Sequence, residues 1–384
     1  MRPFDLHGGA RVLFGAGRLG ELGAEAARLT AGPVLLVSDP GVAAAGHTGR
    51  AADSLSAAGI EVVRFDGAGE NPTTGQVAAG AETARRQGPV EAVVAVGGGS
   101  AMDCAKGINF LLSHGGRMED YEGDGRAGGV MLPSIGVPTT AGSGSEAQRF
   151  ALISRESDRR KMACGDPGAR FRTVILDPEL PLSAPSRVAA AAAIDAVAHA
   201  VESFTATNAN PLSRLYARQA ARLLFGAFEA WLADPAAGSG AGEMLLGAHW
   251  AGASIERSML GAAHACANPL TRAHGVTHGV AVGLMLPHVI RFNGAAAEGL
   301  YAGLLHASGT GAGRKAGAGA AEALAARVEE LLEAAGLPRR LREVGVPRDG
   351  LEVLAAEAAE QKTARFNPRT VGPVECAGLY REAY

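Results

Sequence analysis

Cysteine is scarce in this chain. Four residues in 384, Cys104, Cys164, Cys266 and Cys376, lie far apart with no CxxC pair. That spacing argues against a disulfide framework and against a thiolate zinc site. An excess of one charge is also missing. The net charge is −3 and no basic cluster interrupts the chain, so nothing is offered to a nucleic-acid backbone. No apolar run approaches the roughly 20 residues that span a bilayer. The opening MRPFDLHGGARVLF lacks the basic-then-apolar grammar of a signal peptide. These absences lead to the expectation of a cytoplasmic protein with no membrane or nucleic-acid partner. With 47% apolar and 20% charged residues the composition is that of a folded protein.

The length exceeds what one core usually holds, and the chain has two grammars. Up to about residue 182, short apolar runs alternate with alanine-rich helical stretches. PVLLVSD (33–39), IEVVRFD (60–66), EAVVAVGGGS (91–100) and RTVILDPEL (172–180) read as buried strands. Strand, helix, strand in succession implies right-handed crossovers and a parallel sheet. After Pro185 the periodicity is helical throughout, from SRVAAAAAIDAVAHAVESF to AAEALAARVEELLEAAG. The expected fold is an α/β dinucleotide-binding domain with a parallel sheet over 1–182, followed by an all-α metal-binding domain over 183–384. A cleft between such domains is a common place for a small-molecule site.

Two glycine motifs compete for a dinucleotide. GAGRLG (15–20) fits G-x-G-x-x-G, but RVLF before it is short, and ordinary turns use glycine as readily. VAVGGGSAMDCAKG (94–107) is the better candidate, because a strand runs through three glycines into a helix with Asp103 at its first turn. Glycines let the backbone approach a pyrophosphate, and a helix N-terminus supplies free N–H groups. Lys106 reads as a solvated helix lysine. PTTAGSGSE (138–146) follows another apolar run, MLPSIGV, and suits the ribose and phosphate of the same ligand. Asp39, at the end of PVLLVSD, is placed to accept from a ribose 2′-hydroxyl and to repel a 2′-phosphate, favouring NAD over NADP.

Metal ligands need N or O donors converging on one point. Asp195 and His199 stand at i and i+4, one face of a helix. HACANPLTRAHGVTHG (264–279) supplies His264, His274 and His278. Pro269 is expected to end the helix carrying His264, because the residue before proline leaves the α region. Thr277 reads as an N-cap with His278 opening the next helix. His264 and His278 then converge from two helices across a loop that contains His274. His249, His288 and His306 read as core histidines.

GGGSAMDCAK, PTTAGSGSE, IDAVAHAVE and HACANPLTRAHGVTHG, with DPGV at 39–42, NPT at 71–73 and FNPR at 366–369, occur in the order and spacing of the iron-containing (group III) alcohol dehydrogenases. The sequence resembles that family over nearly its whole length. The resemblance implies that Asp195, His199, His264 and His278 hold the metal. It implies too that Gly97, Gly98, Gly99, Ser100, Thr139, Thr140 and Lys161 touch the nicotinamide cofactor. Asn71, Asp103, Ser143, Ser145 and Leu180 complete the expected cofactor contacts. Many members carry a proton-transferring histidine one turn after the third ligand, where this chain has Asn268. His274 is then one candidate for the proton route, and a cofactor ribose hydroxyl with water is another.

The expected activity is a metal-dependent, NAD(H)-linked alcohol dehydrogenase or aldehyde reductase, iron(II) being the first choice of ion and zinc the second, in a homo-oligomer such as a dimer. Arg257 precedes His264 by seven residues and is expected on nearly the same helix face. With Arg149 it would hold an anionic aldehyde, phosphonoacetaldehyde or a semialdehyde, against an apolar wall of Phe150 and Ile255. A dehydroquinate-synthase-like lyase is the rival enzyme; its site would need more basic residues than this chain offers. A metal-free NAD-binding regulator is the rival that is not an enzyme.

Overall fold

The computed structural model describes residues 9–309 and 319–384. The first eight residues of the stretch read for a leader lie outside them. Two compact units emerge. Among the described residues, one holds 9–140 together with Gly144–Ala184, and the other holds Ala141–Ser143 and the stretch from Pro185 to Tyr384.

The α/β unit is built on a six-stranded parallel sheet of β1 (Arg11–Phe14), β2 (Val34–Val37), β3 (Val62–Phe65), β4 (Ala92–Gly97), β6 (Ser134–Pro138) and β9 (Thr173–Leu176). Their order is β1-β9-β6-β4-β2-β3. Around them run α1 (Leu22–Ala27), α2 (Pro40–Ala44), α3 (His47–Ala57), α4 (Thr74–Gln87) and α5 (Gly99–His114). Strands β2 and β4 are buried at every position, as expected of parallel strands covered on both faces. Leu36, Val94, Val96, Ile135, Val137 and Ile175 form the centre of the core. The chain leaves β2 for β3 on one side and returns to β4 on the other. The carboxyl ends of β2 and β4 therefore flank a topological switch point, where ligands of such sheets bind. A small second sheet was not foreseen: β5 (Gly123–Asp124), β7 (Phe150–Ser154) and β8 (Lys161–Gly165) join in the order β5-β8-β7. The β7–β8 pair is antiparallel, Phe150 opposite Gly165 and Ser154 opposite Lys161. Five-residue strands flanked by arginines carry little periodicity to read.

The helical unit comprises α6 (Ser186–Thr205), α7 (Pro211–Ala233), α8 (Gly240–Ile255), α9 (Ala262–His274), α10 (His278–Ser308), α11 (Ala320–Ala334), α12 (Leu351–Glu360) and α13 (Pro373–Glu382). Helices α6 and α10 are long and apolar enough to cross a membrane, contrary to the sequence reading. Both are largely buried against other helices, which accounts for that composition. They cross closely because two glycines remove side chains at the contact. A Cβ on Gly279 would stand 2.0 Å from the Ala191 carbonyl oxygen, and one on Gly283 would stand 2.9 Å from Ile194. Gly142, in the loop after β6, approaches α6 in the same way, and a Cβ on it would stand 2.8 Å from Ala192 backbone atoms.

Two helix boundaries differ from expectation. Helix α9 runs through Pro269 to His274, where Gly275 in the left-handed conformation stops it. The missing amide is tolerated here, and in the turn before the proline the Cys266 carbonyl accepts from Tyr380 Oη at 2.6 Å. Helix α8 stops at Ile255, where i→i+3 bonds from Arg257 N to Ser254 O and from Ser258 N to Ile255 O tighten its last turn. Arg257 is thus not on the helix of His264. His306 also departs from its expected core position and is exposed, His288 is half-buried, and His249 is buried.

Two glycine substitutions in α10 should move stability in opposite directions. Gly279→Ala should destabilise by about 1–3 kcal/mol through overpacking against Ala191. Gly303→Ala, which meets nothing within 4 Å, should stabilise by roughly 0.5–1 kcal/mol. Urea titration of the two variants beside the unaltered protein checks both signs.

Candidate metal centre and dinucleotide loops

Three helices aim nitrogen at one carboxylate oxygen. His199 Nε2 lies 3.6 Å from Asp195 Oδ1, His264 Nε2 3.4 Å and His278 Nε2 3.9 Å. Asp195 and His199 come from one face of α6, His264 from the first turn of α9 and His278 from the first residue of α10. The His199 and His264 rings stack at 4.8 Å, and the His278 ring is tilted against His264 at 5.5 Å. The side chains of Asp195, His199 and His264 are at most 9% exposed, whereas His278 is 26% exposed, so the cluster opens to solvent on the His278 side.

Electrostatics give the cluster an unmet demand for a cation. Asp195 Oδ1 and His264 Nε2 are buried without a hydrogen-bond partner. Burial alone would raise the Asp195 carboxyl, but the three imidazoles outweigh it and hold it well below the usual range. Burial would lower His264, yet Asp195 and Glu202 outweigh it and push it up to about 9. His199 goes the other way: burial lowers it, and the Asp195 charge does not compensate. One proton, placed on His264, thus substitutes for positive charge in a site whose donors, three imidazoles and a carboxylate, suit iron or zinc. The residues fit a divalent ion.

Glu202 escaped the sequence reading. Its Oε2 accepts from His264 Nδ1 at 2.6 Å, and its Oε1 accepts from the Ala263 amide at 2.7 Å. The available signal was position, since Glu202 stands seven residues after Asp195 and three after His199 on one helix face. The terminal FNPR motif also finds its work here. Asn367 Oδ1 accepts from the Ala262 amide at 3.2 Å and its amide pairs reciprocally with Asn293, pinning the start of α9.

Asn268, one turn beyond His264, donates to Gln361 Oε1 at 3.0 Å. His274, expected in a loop, is the last residue of α9, because the helix continues past the proline. Ten residues of helix carry it about 15 Å along the axis from His264. Arg257 lies over the Tyr216 ring at 5.2 Å and donates to the Ala253 carbonyl. Ile255, the last residue of α8, is buried. In the α/β unit Arg149 forks onto Asp124, 3.0 and 2.7 Å, and stacks on Phe150 at 5.1 Å.

The glycine loops separate cleanly. In GAGRLG the amides of Gly17 and Leu19 already donate to the buried Asp177 carboxylate at 3.1 and 3.0 Å. An acidic side chain occupies the place a phosphate would take. No such carboxylate caps GGGS. Helix α5 begins at Gly99 with Gly98 as N-cap and no side-chain cap. A Cβ on Gly97 would meet Ala101 Cβ at 2.5 Å, and one on Gly98 would meet Thr140 at 3.3 Å. The Thr139 amide donates to the Gly97 carbonyl at 2.9 Å, tying the second loop beside the first. Asn71, with φ +51°, donates its amide to Ser100 Oγ at 3.3 Å. Asp39 uses Oδ1 to cap α2 through the Val42 amide at 2.9 Å, while Oδ2 faces Gly97.

Other expected cofactor contacts are built into the scaffold. Asp103 sits in the second turn of α5, not the first. It is buried, as is Lys106, which is not a solvated lysine. Lys106 Nζ donates to Ser145 Oγ, to Ser145 O and to Phe150 O at 2.7–2.8 Å, and Ser145 Oγ donates to Asp103 at 2.5 Å. This network fastens the loop after β6 to α5. Leu180 is fully buried in the sheet's core, which leaves its side chain no access to a ligand. Lys161 opens β8, and Ser143 belongs with the helical unit.

The pattern described as "Iron-containing alcohol dehydrogenase" matches residues 9–178, and its C-terminal counterpart matches residues 189–384. The chain is 34% identical to choline dehydrogenase of Bacillus subtilis, covering 97% of this chain and 93% of that one. The 1,3-propanediol dehydrogenase of Klebsiella pneumoniae is 31% identical over 97% and 96% of the two chains. Among solved structures, sulfoacetaldehyde reductase of Bifidobacterium kashiwanohense in complex with NAD+ superposes with a TM-score of 0.86 at 26% identity, over 100% and 99% of the chains. A whole-length match in both sequence and fold makes the enzyme an oxidoreductase acting on CH–OH donors: the chain belongs to the iron-containing alcohol dehydrogenase family.

Proposed function

We propose that this chain is an NAD(H)-linked dehydrogenase or reductase of a small uncharged alcohol or aldehyde, with Asp195, His199, His264 and His278 holding a divalent ion, iron first and zinc second. The observation that carries the proposal is the convergence of three imidazole nitrogens on Asp195 Oδ1, which has no hydrogen-bond partner of its own. When bound, the ion supplies Lewis-acid polarisation of the alcohol or carbonyl oxygen, and the nicotinamide supplies the acceptor or donor of hydride.

The protein's own contributions follow from its residues. The GGGS turn and the N-terminus of α5 bind the pyrophosphate with backbone amides, with Thr139 and Thr140 beside them. Asp39 Oδ2 orients a ribose hydroxyl and disfavours a 2′-phosphate. The burial of Asp195, His199 and His264 keeps water from the carboxylate side of the cluster. Asn268 has no titratable proton, and His274 is far along α9, so the proton route that remains is a cofactor ribose hydroxyl with water, which reaches the cluster on the His278 side.

The relatives act, by their names, on a cation, a neutral diol and an anion, so charge preference comes from this chain's own residues. The two arginines advanced for an anionic substrate have other occupations, Arg149 on Asp124 and Arg257 on Tyr216. That favours the uncharged class. Arg257→Ala should leave the ratio of kcat/KM for butanal over succinic semialdehyde within about threefold. A collapse confined to the semialdehyde would restore the anionic reading.

Metal uptake should depend on pH with a definite sign. His264 gains stability from its carboxylates while protonated, a contribution present below the ordinary histidine range and lost as pH rises through about 9. The ion must displace that proton, so apparent affinity should climb by up to ~tenfold per pH unit between pH 6.5 and 9. Chelator competition with Fe(II) or Zn(II) measures it, and a flat profile would remove His264 from the ligand set. His278→Ala should lose tight metal binding and activity, whereas His274→Ala should keep the metal. Asp39→Ser, which keeps a cap acceptor without the charge, should cut the preference for NADH over NADPH by about 1–3 kcal/mol. Steady-state kinetics with both cofactors decide that.

A further inference from the structure

We infer that Glu202 is the positioning residue of the metal centre: it locks His264 as the Nδ1–H tautomer, so that only Nε2 can serve as donor. The inference rests on the metal reading above and goes beyond the four ligands.

Glu202 is buried on α6 and receives three donors. The Ala263 amide reaches Oε1 at 2.7 Å, the His264 amide reaches Oε2 at 3.4 Å, and His264 Nδ1 reaches Oε2 at 2.6 Å. The two amides are the second and third of α9, orphan donors at the positive end of a helix dipole. A carboxylate held there offers only acceptor oxygens. The ring nitrogen against it must therefore keep its proton, so the proton that an ion displaces is the one on Nε2, which faces Asp195 Oδ1 at 3.4 Å, and the lone pair is left there. The approach is built in. A Cβ on Gly261 would stand 2.9 Å from Glu202 Oε1 and 2.9 Å from Asn367 Oδ1, so only glycine leaves room for both side chains at the start of α9. The ring nitrogen of His264 that is turned away from the cluster has the Glu202 carboxylate as its partner. Carboxylate partners of this kind fix ring orientation and raise ligand basicity, and their loss typically costs about 10–100-fold in metal affinity.

Glu202→Gln separates this role from a merely structural one. Glutamine can still accept from the Ala263 amide, but it sets an N–H₂ group against Nδ1 and so favours the opposite tautomer. Zn(II) and Fe(II) affinities are measured by chelator competition on protein that far-ultraviolet circular dichroism shows to be folded. The expected result is binding about 10–100-fold weaker than in the unaltered protein, with a shifted visible spectrum of the Co(II)-loaded form. Affinity within threefold and an unchanged Co(II) spectrum would overturn the inference, leaving Glu202 as a helix cap. If the variant does not fold, ¹⁵N-histidine spectra of the Zn(II)-loaded unaltered protein decide. A deshielded Nδ1–H on His264 with Nε2 bound to zinc supports the inference, and zinc on Nδ1 overturns it. Failure of the unaltered protein to bind either metal would overturn the metal reading and this one with it.

Discussion

A carboxylate buried among imidazoles governs the helical unit. Asp195 cannot stay ionised inside a helix bundle without compensating positive charge, and desolvating it alone would be costly. The surroundings meet that cost from three separate helices, which is why α6, α9 and α10 must cross where they do. Gly279 and Gly283 allow the crossing, Asn367 and Glu202 fix where α9 begins, and Gly275 ends it. Each of these residues takes its role from the need to bring three rings to one oxygen.

The α/β unit answers a different constraint, the management of helix N-termini. Two glycine turns lead from strands toward helices, and they differ in what faces the exposed amides. At GAGRLG the internal anion is Asp177; at GGGS the helix begins without any side-chain cap. The chain satisfies one such turn with its own carboxylate and leaves the other without a side-chain cap, which is the difference the proposed cofactor site rests on.

Much of this was legible in the sequence, and the failures have physical reasons. Strands β2, β4 and β9 stood out because parallel strands buried on both faces are continuous apolar runs. The Asp195–His199 pair and the glycine loops were legible because their spacing is local. Pro269 misled because its helix-breaking tendency is local while the packing that overrides it, including Tyr380 from α13, is not. Lys106 misled because a lysine reads as solvated unless its acceptors are known, and these come from residues 145 and 150 of a distant loop. Arg257 was placed on the wrong face because the α8–α9 break lies in a stretch, ERSML, that carries no proline or glycine until Gly261. Glu202 stayed hidden because its partner's identity depends on which way an imidazole turns.

The three residues Ala141–Ser143 belong with the helical unit although the strand before them and the loop after them belong with the sheet. Among the described residues the chain therefore passes from one unit to the other three times, not once, and Gly142 is the piece of the first of these passes that packs on Ala192. A fragment starting at Pro185 would lack this piece and leave part of α6 bare beside His199. The two units are thus poor candidates for independent inheritance: a recombination joint at the apparent boundary would separate a helix from the backbone that covers it, and the half that carries the histidine cluster could not be exchanged between relatives without carrying a stretch of the other half's loop along.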